Sequence, residues 1–214
     1  MRFEDRADAG RQLAERLRGS VPADAVVLGL PRGGVPVAAE VATALQLPLD
    51  VLVVRKVGAP SNPEYAIGAV GEGGTTVIND AAVTALRLSA DQVERLVDRA
   101  RAAVDERLQE YRRGLPALPI DGRPVVVVDD GLATGLTAAA AVRLVRARGA
   151  RQVVLAVPVG APESIARVRA ECDDVVSVRA PAGFMAVGEH YVDFEQTSDD
   201  AVVAALDRAR RPPG

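Results

Sequence analysis

The chain has 214 residues, of which 49% are hydrophobic, 26% charged and 3% aromatic, and its formal net charge at pH 7 is −3. This composition is typical of a globular protein and excludes an intrinsically disordered one. The acidic balance and the few aromatic rings argue against a nucleic-acid surface, which needs basic patches and stacking side chains. At this length we expect a single domain formed by residues 1–214.

Two further features of the sequence restrict where the chain can act. Pro, Gly or a charged residue interrupts every hydrophobic stretch, so none reaches the roughly 18 apolar residues of a membrane-spanning helix. The sequence opens on the charged stretch MRFEDRADAG and has a single cysteine, Cys172, so neither a secretion signal nor an internal disulfide is expected. We predict a cytoplasmic protein that binds neither membranes nor nucleic acid.

Short apolar runs alternate with amphipathic segments along the chain. Their periodicity predicts strands at residues 25–30, 49–54, 75–78, 125–128, 153–157 and 175–178, and helices at 7–18, 35–45, 89–113, 137–148 and 199–210, with another beginning near Pro162. Residues 59–74 are rich in Pro and Gly and should be mostly loop around a strand-like piece at 66–70. Continuously apolar strands indicate an α/β fold, an open, twisted, mainly parallel sheet with helices on both faces.

Three polar segments directly follow predicted strands. They are PRGG at residues 31–34 (the PRGG loop), the cations Arg55 and Lys56, and DDGLATGLT at residues 129–137. Ligands of parallel sheets bind beyond the carboxyl ends of the strands, near the point where the strand order reverses. We therefore expect the three segments to converge on one site.

The segment after the fourth predicted strand offers two kinds of ligand group. Asp129 and Asp130 (the acid pair) emerge where the valine run ends, so both carboxylates are expected in solvent, where they can accept hydrogen bonds from neighbouring hydroxyls. Residues 131–137 (the phosphate loop) combine small residues with two threonines ahead of a helix, which suits a phosphate cradle. The alternative is a turn that ends the strand, with Thr134 or Thr137 as a helix cap.

The stretch VVVVDDGLATGLT resembles the phosphoribosyl pyrophosphate (PRPP) motif of the type I phosphoribosyltransferases, which has four aliphatic residues, two acids, a short variable segment and T-G-x-T. The resemblance implies that Asp129 and Asp130 contact the ribose hydroxyls and take part in catalysis. It implies Mg²⁺ as the cofactor, held by the acid pair mainly through PRPP and water. It also assigns PRPP binding to the phosphate loop, namely Gly131, Leu132, Ala133, Thr134, Gly135, Leu136 and Thr137.

The same resemblance assigns pyrophosphate binding to two other segments. Family members have a short pyrophosphate loop after the first strand, and Pro31, Arg32, Gly33 and Gly34 occupy that place. Arg55 and Lys56 are similar to the Arg-Lys pair of orotate phosphoribosyltransferases, which precedes a mobile loop ending in G-E-G-G. As catalytic residues they would offset the charge of the leaving pyrophosphate, with residues 59–74 as a lid. The alternatives are a simple glycine turn and a solvated pair of cations.

The C-terminal stretch PAGFMAVGEHYVDF is similar to the base-binding segment of the hypoxanthine-guanine enzymes. The corresponding residues are Phe184, Val187, Gly188 and Asp193, with one extra residue before the aspartate. Residues 181–196 (the hood) would then cover a core of about residues 21–180. The alternative is that Phe184 belongs to the core. His190 can equally be a hydrogen-bonded structural residue or a catalyst.

One departure from the family leaves the substrate open. Enzymes for 6-oxopurines have an acid just before the motif threonine, whereas this chain has Ala133, as adenine and uracil enzymes do. The resemblance implies transfer of the phosphoribosyl group from PRPP to a nucleobase-like nitrogen acceptor by a homodimeric enzyme. The alternative is a regulatory protein of the same fold that binds PRPP or nucleotides without catalysis. A dinucleotide-binding domain is excluded, because no G-x-G-x-x-G follows the first strand.

Overall fold

The computed structural model describes residues 2–210, without the side chains of residues 63, 64 and 210. In chain order the elements are α1 (Arg6–Leu17), β1 (Val26–Gly29), α2 (Gly34–Leu45), β2 (Leu49–Val51), β3 (Arg55–Ala59), β4 (Asn62–Val70), β5 (Thr76–Ile78), α3 (Asp80–Ala85), α4 (Ala90–Arg112), β6 (Pro124–Val128), α5 (Leu136–Ala147), β7 (Gln152–Val159), α6 (Pro162–Arg169), β8 (Asp174–Arg179) and α7 (Asp199–Arg210). Short 3₁₀ helices cover Glu72–Gly74 and Val187–His190.

The centre of the fold is a five-stranded parallel sheet in the order β2-β1-β6-β7-β8. Its apolar strands alternate their side chains between two cores. Val126 and Val128 face a core built with α1, α2, α4 and α7, whereas Val125 and Val127 face a core built with α5 and α6. The central strand β6 is therefore buried on both sides, which explains the absence of polar alternation in its sequence. The arrangement confirms the predicted fold class.

Local sequence signals fix the ends of several helices. Ser89 and Gln92 form the predicted capping box of α4, in which the Ser89 hydroxyl accepts from the Gln92 amide and the Gln92 side chain accepts from the Ser89 amide. Asn79 caps α3, a helix of six residues that the sequence analysis did not predict. None of the helices within residues 2–210 is long and apolar enough to cross a membrane.

The prediction for residues 59–74 was confirmed for the strand-like piece and wrong for residues 59 and 62–65, which are also strand. Apart from the strand-like piece at 66–70, the segment was expected to be loop, but Asn62–Val70 forms a continuous strand. This strand, β4, pairs antiparallel with β3 and β5 in a second sheet (the small sheet). Burial of Val57, Ile67 and Val70 in the core shared with α4 supplies the stabilisation that the local propensity of a Gly- and Pro-rich segment does not.

The small sheet also corrects the end of the second predicted strand. The parallel strand β2 ends at Val51, three residues earlier than predicted, and the chain then crosses to β3. Arg55 and Lys56 are therefore the first residues of an antiparallel strand, paired with Val70 and Ala69, and not the end of a parallel strand.

Candidate functional site

The PRGG loop and the acid pair meet at the switch point of the parallel sheet. β1 and β6 are neighbours, so the segments that follow them leave the sheet side by side, and the Leu30 amide donates to the Val128 carbonyl at 2.8 Å. A Cβ atom on Gly34 would lie 2.7 Å from the Val128 oxygen and 2.8 Å from the Asp129 Cα. A Cβ atom on Gly33 would overlap the Asp130 carboxylate. Only glycine allows this approach.

The acid pair is half-buried, and not placed in solvent as the sequence analysis expected. Asp129 Oδ1 accepts from the Asp130 amide at 2.9 Å. Burial raises the pKa of the Asp129 carboxyl well above its usual range, and the charge of Asp130 adds to this effect. Burial also raises the pKa of Asp130, although the Arg6 guanidinium beside it opposes the shift. The valine run that places the pair on the sheet also carries it into partial burial, because the strand ends under the hood.

Three carbonyl groups of the phosphate loop face α6 and the residue just before it. The Leu132 carbonyl accepts from the Ala161 amide, the Ala133 carbonyl from the Ser164 hydroxyl, and the Thr134 carbonyl from Arg167. Because C=O and N–H point in opposite directions within a trans peptide unit, the amides of residues 133–135 face away from α6. Those three amides have no acceptor among the residues that the structure describes. Gly135, with φ of 76°, is the N-cap of α5. The loop thus has the free donors that an anion site requires.

Arg55 and Lys56 reach the far end of the phosphate loop from the small sheet. Both are exposed, and together with Thr137 they line a cleft of about 590 Å³. Lys56 and Thr137 also line a neighbouring cavity of about 650 Å³ between the small sheet and α5. The expected convergence therefore holds for Arg55 and Lys56 with the phosphate loop, whereas neither cavity is lined by described residues of the PRGG loop or the acid pair.

Arg32, the cation of the PRGG loop, contacts the C-terminal helix. Its guanidinium lies 3.5 Å from Asp199 Oδ2, in the first turn of α7. Asp199 also accepts from the Tyr111 hydroxyl at 2.6 Å and lies 3.0 Å from Arg107. The hydrogen bond from Tyr111, followed by that from Arg107, lowers the pKa of Asp199, so it is a carboxylate at neutral pH. The structure thus provides Arg32 with an acidic partner that the sequence did not reveal.

The hood lies directly against the phosphate loop and the acid pair. A Cβ atom on Gly131 would lie 2.7 Å from Val187 Cγ2, and the Tyr191 hydroxyl donates to the Asp130 carbonyl at 2.6 Å. Phe184 is half-buried and stacks on His190, with ring centroids 5.4 Å apart. The alternative of Phe184 as a packing residue is thus partly met, because the ring contacts the satellite core around Phe3 and Tyr191.

The two remaining hood candidates differ in their surroundings. Gly188 lies under the Phe194 ring, where a Cβ atom would be 2.9 Å from the ring carbon Cδ1. Asp193 is exposed, and its carboxylate accepts from the Glu195 amide at 3.0 Å. The extra residue before Asp193 therefore leaves it in a local turn at the surface.

Two residues of the site were missed by the sequence analysis. Arg6 donates from Nε to Asp130 Oδ2 at 2.9 Å, and Tyr191 holds the backbone of the same residue. Arg6 belongs to no motif, Tyr191 lies in the C-terminal stretch but is not among its corresponding residues, and both are far from the acid pair along the chain. The one available signal was the concentration of three of the chain's six Phe and Tyr residues in the hood, at positions 184, 191 and 194.

The donors present suit a hard cation only if the substrate supplies most of its ligands. Residues 2–210 contain no group of three or more His, Cys, Asp or Glu side chains able to hold a metal ion. The acid pair offers carboxylate oxygens, the ligand type that Mg²⁺ prefers, and Mg²⁺ commonly takes one or two carboxylates together with phosphate oxygens and water. The site therefore fits Mg²⁺ that arrives bound to a phosphorylated substrate.

Comparison with known proteins identifies relatives over nearly the whole chain. Residues 3–192 match the family model described as the phosphoribosyl transferase domain. The Mycobacterium tuberculosis protein Rv0571c, whose name assigns it provisionally to the phosphoribosyl transferases, is 53% identical over 209 residues, which cover 98% of this chain and 47% of that protein. The chain thus spans about half the length of the curated relatives it matches first.

Two further likenesses complete the comparison. The crystal structure of TT1426 from Thermus thermophilus superposes with a TM-score of 0.87 at 48% identity, covering 96% of this chain and 98% of that one. A uracil phosphoribosyltransferase from Clostridioides difficile is 47% identical over 66 residues, 31% of each chain.

Proposed function

Because the chain belongs to the phosphoribosyl transferase domain family, we propose that it transfers the 5-phosphoribosyl group of PRPP to a nitrogenous acceptor and releases pyrophosphate. Membership confirms the predicted family, and the likeness to the TT1426 structure confirms the predicted sheet architecture. Pentosyltransferase activity is part of the proposal. PRPP as donor, the acceptor and the residue roles below are the content of the proposal.

The observation that carries the proposal is the meeting of three segments at one end of β1 and β6. The PRGG loop touches the acid pair through Gly33 and Gly34, and the hood touches the phosphate loop through Val187 and Gly131. Segments from three distant parts of the sequence thus surround the two carboxylates. A ligand with a diol and a terminal phosphate matches the carboxylates and the free amides of residues 133–135.

In the proposed reaction the bond between ribose C1 and the pyrophosphate oxygen breaks, a bond from C1 to the acceptor nitrogen forms, and the proton of that nitrogen passes to the released pyrophosphate or to water. The acid pair accepts hydrogen bonds from the ribose hydroxyls, and the phosphate loop holds the 5-phosphate, which together fix the position of C1. Positive charge develops on the sugar, as in glycoside hydrolysis, and the nearby carboxylates stabilise it. Arg55, Lys56 and Arg32 are assigned to the departing pyrophosphate.

Mg²⁺ would be held by the acid pair and by oxygens of PRPP, and when bound it would neutralise part of the pyrophosphate charge. The protein's own contribution is to orient the sugar and to limit water around it. The hood contacts the phosphate loop at Gly131, and Arg55 and Lys56 of the small sheet share a cleft with Thr137, so both can limit solvent access.

The acceptor can be narrowed by comparison. Ala133 lacks the acid expected of 6-oxopurine enzymes, and a local stretch resembles a uracil phosphoribosyltransferase. Uracil and adenine therefore head the panel of acceptors to be tested, followed by hypoxanthine, guanine, orotate and simple amines. The homodimer and the cytoplasmic location stay predictions from the sequence, and sedimentation of the purified chain would test the former.

The decisive experiment measures pyrophosphate release from PRPP and MgCl₂ with each acceptor in turn. With one of the acceptors the wild type should release pyrophosphate from PRPP. The double variant that carries both Asp129→Asn and Asp130→Asn should do so at least ~100-fold more slowly. Asp105→Asn, an exposed acid on α4, is the matched control and should retain full activity. If PRPP binds but none of the acceptors leads to pyrophosphate release, the regulatory alternative replaces the enzyme. An active double variant would refute the role of the acid pair.

A further inference from the structure

Arg6 contacts the acid pair, the hood and the PRGG loop, although it lies in none of these segments. Its Nε and Nη2 atoms both lie 2.9 Å from Asp130 Oδ2, and its Nη1 donates to the Glu195 carbonyl at 2.7 Å. The guanidinium stacks over the Phe194 ring at 4.1 Å from the centroid. A Cβ atom on Gly33 would lie 3.1 Å from Nε. One side chain therefore contacts the acid pair, the hood and the PRGG loop.

The position of Arg6 is unfavourable for the helix that contains it. Arg6 is the first residue of α1, where the helix dipole repels a cation. The side chain is nevertheless only 13% exposed, against 60% for Arg11, five residues further along the same helix. Contacts outside the helix must therefore hold Arg6 in place. Asp130 is the carboxylate that compensates its buried charge.

The contacts of Arg6 leave a defined part of the acid pair available. Nε and Nη2 of Arg6 both contact Oδ2 of Asp130, and the Asp130 amide donates to Oδ1 of Asp129. The other oxygen of each carboxylate, Oδ2 of Asp129 and Oδ1 of Asp130, receives no side-chain donor from residues 2–210. Each acid is thus anchored by one oxygen and keeps the other for an external hydroxyl.

We propose that Arg6 is a positioning residue for the sugar, an inference that rests on the proposed function. Its guanidinium fixes the Asp130 carboxylate so that Oδ1 faces a ribose hydroxyl, and it ties that carboxylate to the hood through Phe194 and Glu195. Arginine suits this role because its planar fork donates from several nitrogens in a fixed geometry and stacks on an aromatic ring, whereas lysine is a single point charge. Leu13 and Leu17 pack α1 into the core, and this packing fixes the position of the helix that carries Arg6.

The test compares the affinities of the wild type for three ligands with those of the variants Arg6→Lys and Arg6→Gln and of the control Arg11→Gln. Titration calorimetry in the presence of MgCl₂ measures the dissociation constants of PRPP, ribose 5-phosphate and inorganic pyrophosphate. Both Arg6 variants should bind the two ribose ligands ~10- to 100-fold more weakly, as for other residues that orient a ligand group, while pyrophosphate affinity changes by less than about twofold. Arg11→Gln should bind all three as the wild type does.

The pattern across ligands separates positioning from a structural role. A general loss of structure would weaken all three ligands together, and that result would overturn the proposal, as would unchanged PRPP affinity in both Arg6 variants. If the wild type binds PRPP but transfers its phosphoribosyl group to no acceptor, the proposed activity is refuted and the role of Arg6 in ligand binding stands. A wild type that binds neither ribose ligand would overturn both.

Discussion

Replacement of Gly34 by alanine adds one methyl group where the PRGG loop lies closest to the acid pair. Gly34 is the first residue of α2, and the new Cβ atom would lie 2.7 Å from the Val128 oxygen and 2.8 Å from the Asp129 Cα. Both neighbours are backbone atoms of a buried strand end, so they cannot rotate away as a side chain could. Either the PRGG loop or the end of β6 must shift by several tenths of an ångström.

The magnitude follows from the rigidity of these neighbours. Overpacking of this kind typically costs about 1–3 kcal/mol, which for a chain of this size lowers the melting temperature by roughly 2–12 °C. Alanine is favoured over glycine in helices by up to about 1 kcal/mol, so a net loss of stability isolates the clash. Displacement of the acid pair should also weaken PRPP binding at least ~10-fold, because ligand groups must be held within about 0.5 Å.

The assay combines a thermal melt with calorimetric titration of PRPP and MgCl₂. Gly183→Ala is the control, since a Cβ atom there would meet no atom within 4 Å, and it should stay within about 0.5 kcal/mol of the wild type. A Gly34→Ala protein with the wild-type melting temperature and PRPP affinity would refute the close approach of the two segments.

Two further substitutions test the buried charges. Burial raises the pKa of Asp129, so its ionised form destabilises the fold at neutral pH, and Asp129→Asn should stabilise the protein at pH 7 by on the order of 1 kcal/mol while abolishing PRPP binding. Thermal melts across pH should show this gain shrinking as the pH falls through the raised pKa of Asp129 and vanishing below pH ~3, where the wild-type carboxyl is neutral in both the folded and the unfolded state; a gain independent of pH would contradict the reasoning. Arg112→Met leaves buried Asp50 and partly buried Glu72 without their shared cation and should destabilise by about 3–5 kcal/mol in urea, against less than ~1 kcal/mol for exposed Arg107→Met. Equal losses in these two arginine variants would contradict a buried network.

The sequence by itself determined the parallel sheet and the placement of two segments of the site. Val125 to Val128 are apolar without alternation, and such a run is stable only when both faces of the strand are covered. The PRGG loop and the acid pair follow strands of that sheet, so the rule for ligand sites at strand ends placed them together before any contact was known. These conclusions depend on local patterns, which a single sequence contains in full.

The tertiary structure alone decided the partners of the charged side chains. Arg6 and Asp130 are 124 positions apart, and nothing near either residue indicates the other. Arg32 lies beside Asp199 because α7 packs on α2, and Asn62–Val70 is a strand because β3 offers it hydrogen bonds. Such choices depend on which surfaces meet after folding, since a side chain's partner and burial are properties of the packed elements and not of its neighbours in sequence.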